Sequence, residues 1–203
     1  MISNIVLLFV CISDELRKHF WGGVSMEGRE DLRVVKTRAN IQNTFVRLLR
    51  EKGFQHVTVQ DILDTALINR TTFYRHYDSK FDLADQMADD FLTKFSAALE
   101  SAREDRAGGL EAVYSTLIED RERILALWDL RTDSTDVRAE MERMLQCAYP
   151  EIAGANTTHA GFAPLAFSAV ALTAFRFVLE GGEGHSMDDV REGMLEFIAA
   201  SAV

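Results

Sequence analysis

Residues 58–80 read TVQDILDTALINRTTFYRHYDSK. Thr58 is suited to open a helix, because its hydroxyl can cap the free amide of Asp61 three residues on. Val59, Ile62, Leu63 and Ala66 then share one inner face. Leu67-Ile68-Asn69 breaks the pattern, and a second, short helix is predicted from Arg70 to Tyr77 with Phe73 and Tyr77 stacked inward at i, i+4. Two short helices joined by a tight turn can form a helix-turn-helix, whose second helix enters the DNA major groove. Val59, Ile62, Ile68, Phe73 and Tyr77 would lock the pair together. That leaves Arg70, Thr71, Thr72, Tyr74, Arg75 and His76 outward, with short or forked donors suited to DNA. The helix starts at Thr58 and Ser79 add backbone amides, and Lys80 adds a cation, where flanking phosphates would lie. A helical hairpin with a polar outer face has the same amphipathicity, so the pattern alone does not separate the two.

The surroundings of this stretch are helical as well. Upstream, Ile41, Phe45, Leu48 and Leu49 give one buried stripe on a helix from about Val34 to Lys52, which Gly53 stops. Downstream, Ser79 with Asp82 caps a long helix reaching about Glu100, with a stripe of Leu83, Met87, Phe91, Phe95 and Leu99. Further helices are expected from Leu110 to Leu130 with a bend, and from Thr135 to Ala148, followed by a looser stretch through Pro150 and Gly154. Pro164 suits a helix start and Gly181-Gly182 its end, and Leu165 to Leu179 between them is apolar nearly all round, so that helix is expected to be buried on several sides. A last helix begins at Ser186, capped with Asp189, and shows Val190, Met194, Leu195, Phe197 and Ile198.

The chain has 203 residues, 47% of them apolar, and two prolines. That composition can bury a substantial core, and with no alternating β-branched runs it favours an all-α fold. The net charge of −10 argues against a nucleic-acid partner until its distribution is considered. Arg29 to Lys80 carries ten basic and six acidic residues, a surplus of four positive charges that leaves −14 on the remainder. A basic N-terminal third on an acidic remainder fits a DNA-binding module joined to a sensing and dimerising one. The apolar run Ile5 to Ile12 is too short to span a bilayer and has no basic residue before it, so no targeting or membrane segment is expected. Residues 1–32 read as an N-terminal extension. An upstream start codon, with Met26 as the alternative beginning, and a small docking helix before Gly22 and Gly23 both account for it.

Cys11 and Cys147 match neither a metal-ligand spacing nor a disulfide framework, which suits a reducing cytoplasm. His19, His56, His76, His159 and His185 are scattered without an i, i+4 pair, and no glycine-rich phosphate loop is present. Neither metal nor nucleotide chemistry is signalled, no cofactor is expected, and an enzyme is disfavoured.

Gly53-Phe54, Thr58 to Ile62, Ile68 to Tyr77 and Ser79-Lys80 together resemble the N-terminal domain of the TetR family of transcriptional regulators, across roughly Val34 to Leu83. The resemblance implies a three-helix DNA-binding domain over 33–80 and a helical regulatory and dimerisation domain over 81–203. It implies contacts to double-stranded operator DNA from Thr58, Thr71, Thr72, Tyr74, His76 and Lys80. Leu67 departs from the glycine common in the turn; if the position needs a positive φ, leucine is strained there. The last two helices would pair with their copies in a homodimer, with Leu172, Phe175, Leu179, Met194 and Phe197 as candidate interface residues. A small-molecule effector pocket is implied beyond the start of the fourth helix, for which Phe91, Tyr114, Leu117, Trp128, Met144, His159, Phe162 and Phe167 are candidates. The expected function is therefore a cytoplasmic, ligand-responsive repressor. A DNA-binding protein controlled by a protein partner is the alternative, and a helical enzyme a more distant one.

Overall fold

A computed structural model of the chain describes residues 32–104, 109–132, 134–153 and 161–181, with positions 189, 190, 192, 193 and 196 beyond them. Eight helices are named: α1 (Leu32–His56), α2 (Val59–Ala66), α3 (Arg70–Tyr74), α4 (Lys80–Glu104), α5 (Gly109–Glu119), α6 (Arg121–Leu127), α7 (Val137–Ala153) and α8 (Ala163–Gly181). Among the described residues no strand forms, and the fold is all-α.

The chain divides into two compact units that interleave in sequence. Among the described residues the first holds 32–93 and 122–137, and the second holds 94–121 and 138 onward. The first unit buries the stripe read from sequence: Ile41, Phe45, Leu48 and Leu49 of α1, Ile62, Leu63 and Ala66 of α2, Phe73 and Tyr77, and Leu83, Met87 and Phe91 of α4. Gly53 interrupts α1 with φ 73°, a conformation open to glycine at no steric cost. Asn40 on α1 donates to Ala66 O at 2.9 Å and so satisfies a carbonyl at the end of α2. The segment after α6 ties back to α4 in the same unit, because Asp85 accepts from Ser134 Oγ at 2.8 Å and from the buried Thr135 hydroxyl.

In the second unit Phe95 of α4 meets Phe175 of α8 edge-on at 6.1 Å, and Gln146 of α7 donates to Ser168 Oγ at 3.2 Å. Arg121 donates to Leu179 O at 2.5 Å, placing a cation against the last carbonyls of α8. Helix α7 continues through Pro150 to Ala153, where the sequence suggested a loosening after Ala148. A proline this close to a helix end removes a single ladder bond, and the remaining turn survives. The bend expected between Leu110 and Leu130 falls at Asp120, between α5 and α6.

Helix α8 differs from the expectation of burial on several sides. Ser168, Ala171, Leu172, Phe175, Val178 and Leu179 are buried. The other side leaves Val170 and Phe177 exposed, and Leu165 in the first turn and Phe162 just ahead of the helix are exposed as well. By length and composition alone this helix could cross a membrane, but its buried face packs as a core helix of the unit does.

Between α2 and α3, Leu67 sits at φ 55° and ψ 44° with its side chain 91% exposed. The Cβ of an L-residue crowds the following carbonyl in this region, at a cost of about 1–2 kcal/mol, and an exposed side chain recovers nothing by burial. Leu67→Gly is therefore expected to stabilise the protein by about 1 kcal/mol after the extra unfolded-state entropy of glycine is subtracted. Thermal unfolding should show a rise of about 2–4 °C. Leu67→Ala, which keeps the Cβ, should leave the midpoint unchanged.

Candidate nucleic-acid interface

The start of α2 is fixed by a reciprocal cap. Thr58 has extended backbone angles, its Oγ1 accepts from Asp61 N at 3.1 Å, and its own N–H donates to Asp61 Oδ2 at 2.7 Å. Lys52 Nζ lies 2.7 Å from the same carboxylate oxygen. Lys52 and then the hydrogen bonds from Thr58 hold the Asp61 carboxyl at about 2, below its ordinary 3.8. A depressed carboxylate stabilises the fold above its unfolded pKa, and that contribution is lost as pH falls through the folded value. The cap is therefore expected to be intact above about pH 4 and to fail towards pH 2. Between those values the denaturant midpoint of the native chain should fall more steeply than that of Asp61→Asn; parallel curves would show that the cap does not titrate in this range.

Helix α3 is capped by Asn69, whose Oδ1 accepts from Thr72 N at 2.7 Å. Sequence reasoning treated Asn69 only as a pattern breaker, although an Asx residue immediately before a helical run is a start signal. The helix ends at Tyr74, short of the expected Tyr77, because His76 N turns to Phe73 O and closes a tighter turn. Phe73 is fully buried, with its ring 5.4 Å from Tyr74 and 5.8 Å from Tyr77. Burial pushes the Tyr77 phenol up, against the opposing influence of Gln42, Arg38 and Arg123.

The outward face of α3 brings together four of the residues expected to meet DNA. Arg70, Thr71, Tyr74 and Arg75 are exposed and line one open depression, and the Arg70 guanidinium lies 5.8 Å over the Tyr74 ring. Thr58 is exposed at the start of α2. The other three are placed differently. Thr72 is half-buried, with its amide committed to the cap; His76 is half-buried, with Nε2 inside; and the Lys80 ammonium turns inward to Phe54 O and Val57 O. The Lys80 contacts link residues 23 and 26 positions apart, and no local sequence pattern announces them.

The sequence model described as bacterial regulatory proteins, tetR family, matches residues 44–87, which run from mid-α1 through α2 and α3 into α4. Residues 44–87 therefore carry the sequence pattern of that family's regulators. The chain is 33% identical over 99 residues to an uncharacterised HTH-type transcriptional regulator, YxbF, of Bacillus subtilis, a match that covers 45% of this chain and 26% of that protein. It is also 33% identical over 86 residues to the HTH-type transcriptional repressor KstR2 of Rhodococcus jostii, covering 40% of this chain and 42% of that one. The matches thus span less than half the length of either relative. In fold it resembles a TetR transcriptional regulator from Streptococcus agalactiae, with a TM-score of 0.57 and 22% identity over 83% of this chain and 97% of that one. A TerR/AcrR-family regulator from Aquifex aeolicus gives a TM-score of 0.53 and 19% identity over 81% and 98%.

The remaining candidates scatter. Of the effector-pocket residues, Phe91 and Trp128 are buried in the first unit. Leu117 and Met144 are buried in the second, where Tyr114 and Phe167 are half-buried and Phe162 is 77% exposed. His159 lies outside the described residues, as do Met194 and Phe197 of the suggested interface and the whole of residues 1–31. Leu172, Phe175 and Leu179, also suggested for the interface, are buried on the inner face of α8 and are not available to a second copy there. Among the described residues no group of three His, Cys, Asp or Glu side chains could hold a metal ion.

Proposed function

We propose that the chain is a sequence-specific DNA-binding transcriptional regulator, acting as a homodimeric repressor that a small molecule releases from its operator. The observation that carries this reading is the exposed face of α3, which presents two arginines, a threonine and a tyrosine on a helix locked from behind by Phe73. Arginine can read guanine bidentately in the major groove, and Thr71 and Tyr74 can bond phosphate or base edges. Thr58 adds the N-terminus of α2 for a backbone phosphate. The family match over residues 44–87 covers these elements, and the Rhodococcus relative being a repressor supports the sign of regulation.

A second copy is the partner that fits the exposed stripe of α8. Val170 and Phe177, seven residues apart, share one side of the helix, and a twofold protein matches an operator with two half-sites. The domain beyond residue 80 is where we place the effector. This reading calls for no cofactor, and with DNA as the partner we assign the protein to the cytoplasm.

Genome-wide mapping of DNA bound by the full chain tests the reading, because the genes beside the bound sites suggest both the regulated process and the effector. Discrete sites in regulatory regions are the expected result, and binding without site preference would contradict it. For the effector, linkage sets the standard: operator DNA must weaken effector binding by the factor by which effector weakens operator binding. If no compound releases the protein from its mapped sites, control by a protein partner replaces control by a ligand.

A further inference from the structure

The Lys80 ammonium lies where two chain segments need to be pinned. Nζ donates to Phe54 O at 2.9 Å and to Val57 O at 2.8 Å, and it lies 4.5 Å from the centre of the Phe54 ring and 5.5 Å from that of Phe81. Two of its three N–H groups are therefore committed, and the aromatic faces stabilise the cation between them. Val57 O and Thr58 N–H belong to one rigid peptide plane. The N–H edge of that plane donates to Asp61 Oδ2 at 2.7 Å. The plane is thus held from both edges, by Lys80 at the start of α4 and by Asp61 within α2, and Thr58 projects from it.

Resting on the DNA-binding reading above, we infer that Lys80 is a positioning residue for the interface: it fixes the Val57–Thr58 peptide and thereby aims Thr58 and the first amides of α2, without itself neutralising a phosphate. A phosphate that drew the ammonium off would leave two part-buried carbonyls without their charged donor, so only the single remaining N–H is open to one, and the salt slope below tells whether it is used. Arg70 and Arg75, exposed on α3, can meet DNA without that penalty.

The test uses the full chain and the tightest-binding duplex recovered by genomic mapping. Lys80→Met keeps an unbranched apolar stem and removes the charge. It is expected to weaken binding about tenfold while leaving the slope of log affinity against log salt unchanged. In a Thr58→Ala background the same change should have almost no further effect, because Lys80 acts through Thr58. A lost phosphate contact would instead reduce the slope by about 0.9, or about 1.8 if both subunits lose one, and would weaken binding equally with or without Thr58. Either result overturns the inference, as does a variant that is less stable but binds DNA normally when folded. In the free protein, amide hydrogen exchange at Val57 and Thr58 should quicken about tenfold in Lys80→Met. Unchanged exchange overturns the inference even if the native chain binds no duplex, a result that would separately defeat the DNA-binding reading.

Discussion

Replacing Phe177 with Asp is expected to convert the proposed dimer into folded monomers and to lower operator affinity by about a hundredfold or more, because two half-sites are then no longer bound as one unit. Phe177 is 42% exposed on α8, on the side that also exposes Val170. In a twofold interface each substitution occurs twice, so two carboxylates would be buried without partners, at a cost of several kcal/mol. The protomer core should tolerate the change better than one on the inner face, because Phe177 is partly exposed. Phe175→Asp provides the contrast. Phe175 is 2% exposed and packs edge-on against Phe95, so a charge there should unfold the second unit. Sedimentation analysis with circular dichroism separates the outcomes: helical monomers for Phe177→Asp, and loss of helix or aggregation for Phe175→Asp. A Phe177→Asp protein that remains dimeric would place the interface elsewhere.

Phe73→Ala is expected to remove about 3–5 kcal/mol, the range for truncating a fully buried aromatic. A domain of ordinary stability has only about 5–15 kcal/mol to lose. Phe73 is fully buried and ties α3 into the core of the first unit, with its ring 5.8 Å from that of buried Tyr77. DNA binding should disappear together with the native denaturation midpoint. Tyr74→Ala should behave differently, since Tyr74 is 45% exposed: the midpoint should hold while DNA affinity falls. Equal destabilisation by the two changes would mean that the outer face of α3 is part of the core.

These contrasts show which parts of the molecule the sequence made legible. The reciprocal cap of Thr58 and Asp61, the break at Gly53, and the buried stripe from Ile41 to Phe91 were readable because each depends on residues within a turn or two of one another. The strain at Leu67 was also foreseen conditionally, from a leucine standing where a positive φ favours glycine. The face of α8 was not legible. Leu172, Phe175 and Leu179 stand on a helix that is apolar nearly all round, with Val170 and Phe177 on its other side, so only packing decides which side turns inward. The inward turn of Lys80 and the return of residues 122–137 to the first unit are long-range events, set by backbone carbonyls and tertiary contacts that carry no local signature. Pro150 misled because its penalty depends on how little helix follows it.

The central claim is that α2 and α3 form a reading head for duplex DNA, and repeated selection of bound sequences from a random duplex pool by the full chain tests it most directly. The account predicts enrichment of an inverted repeat whose half-site centres lie about 34 Å or a multiple apart on one face of the helix. It also predicts that Arg70→Ala and Arg75→Ala each relax base preference at particular positions within the half-site, at about 1–3 kcal/mol for a lost bidentate contact. A pool that emerges as random as it began, or an inverted repeat indifferent to both arginines, would contradict the assignment of α3 as the helix that reads DNA.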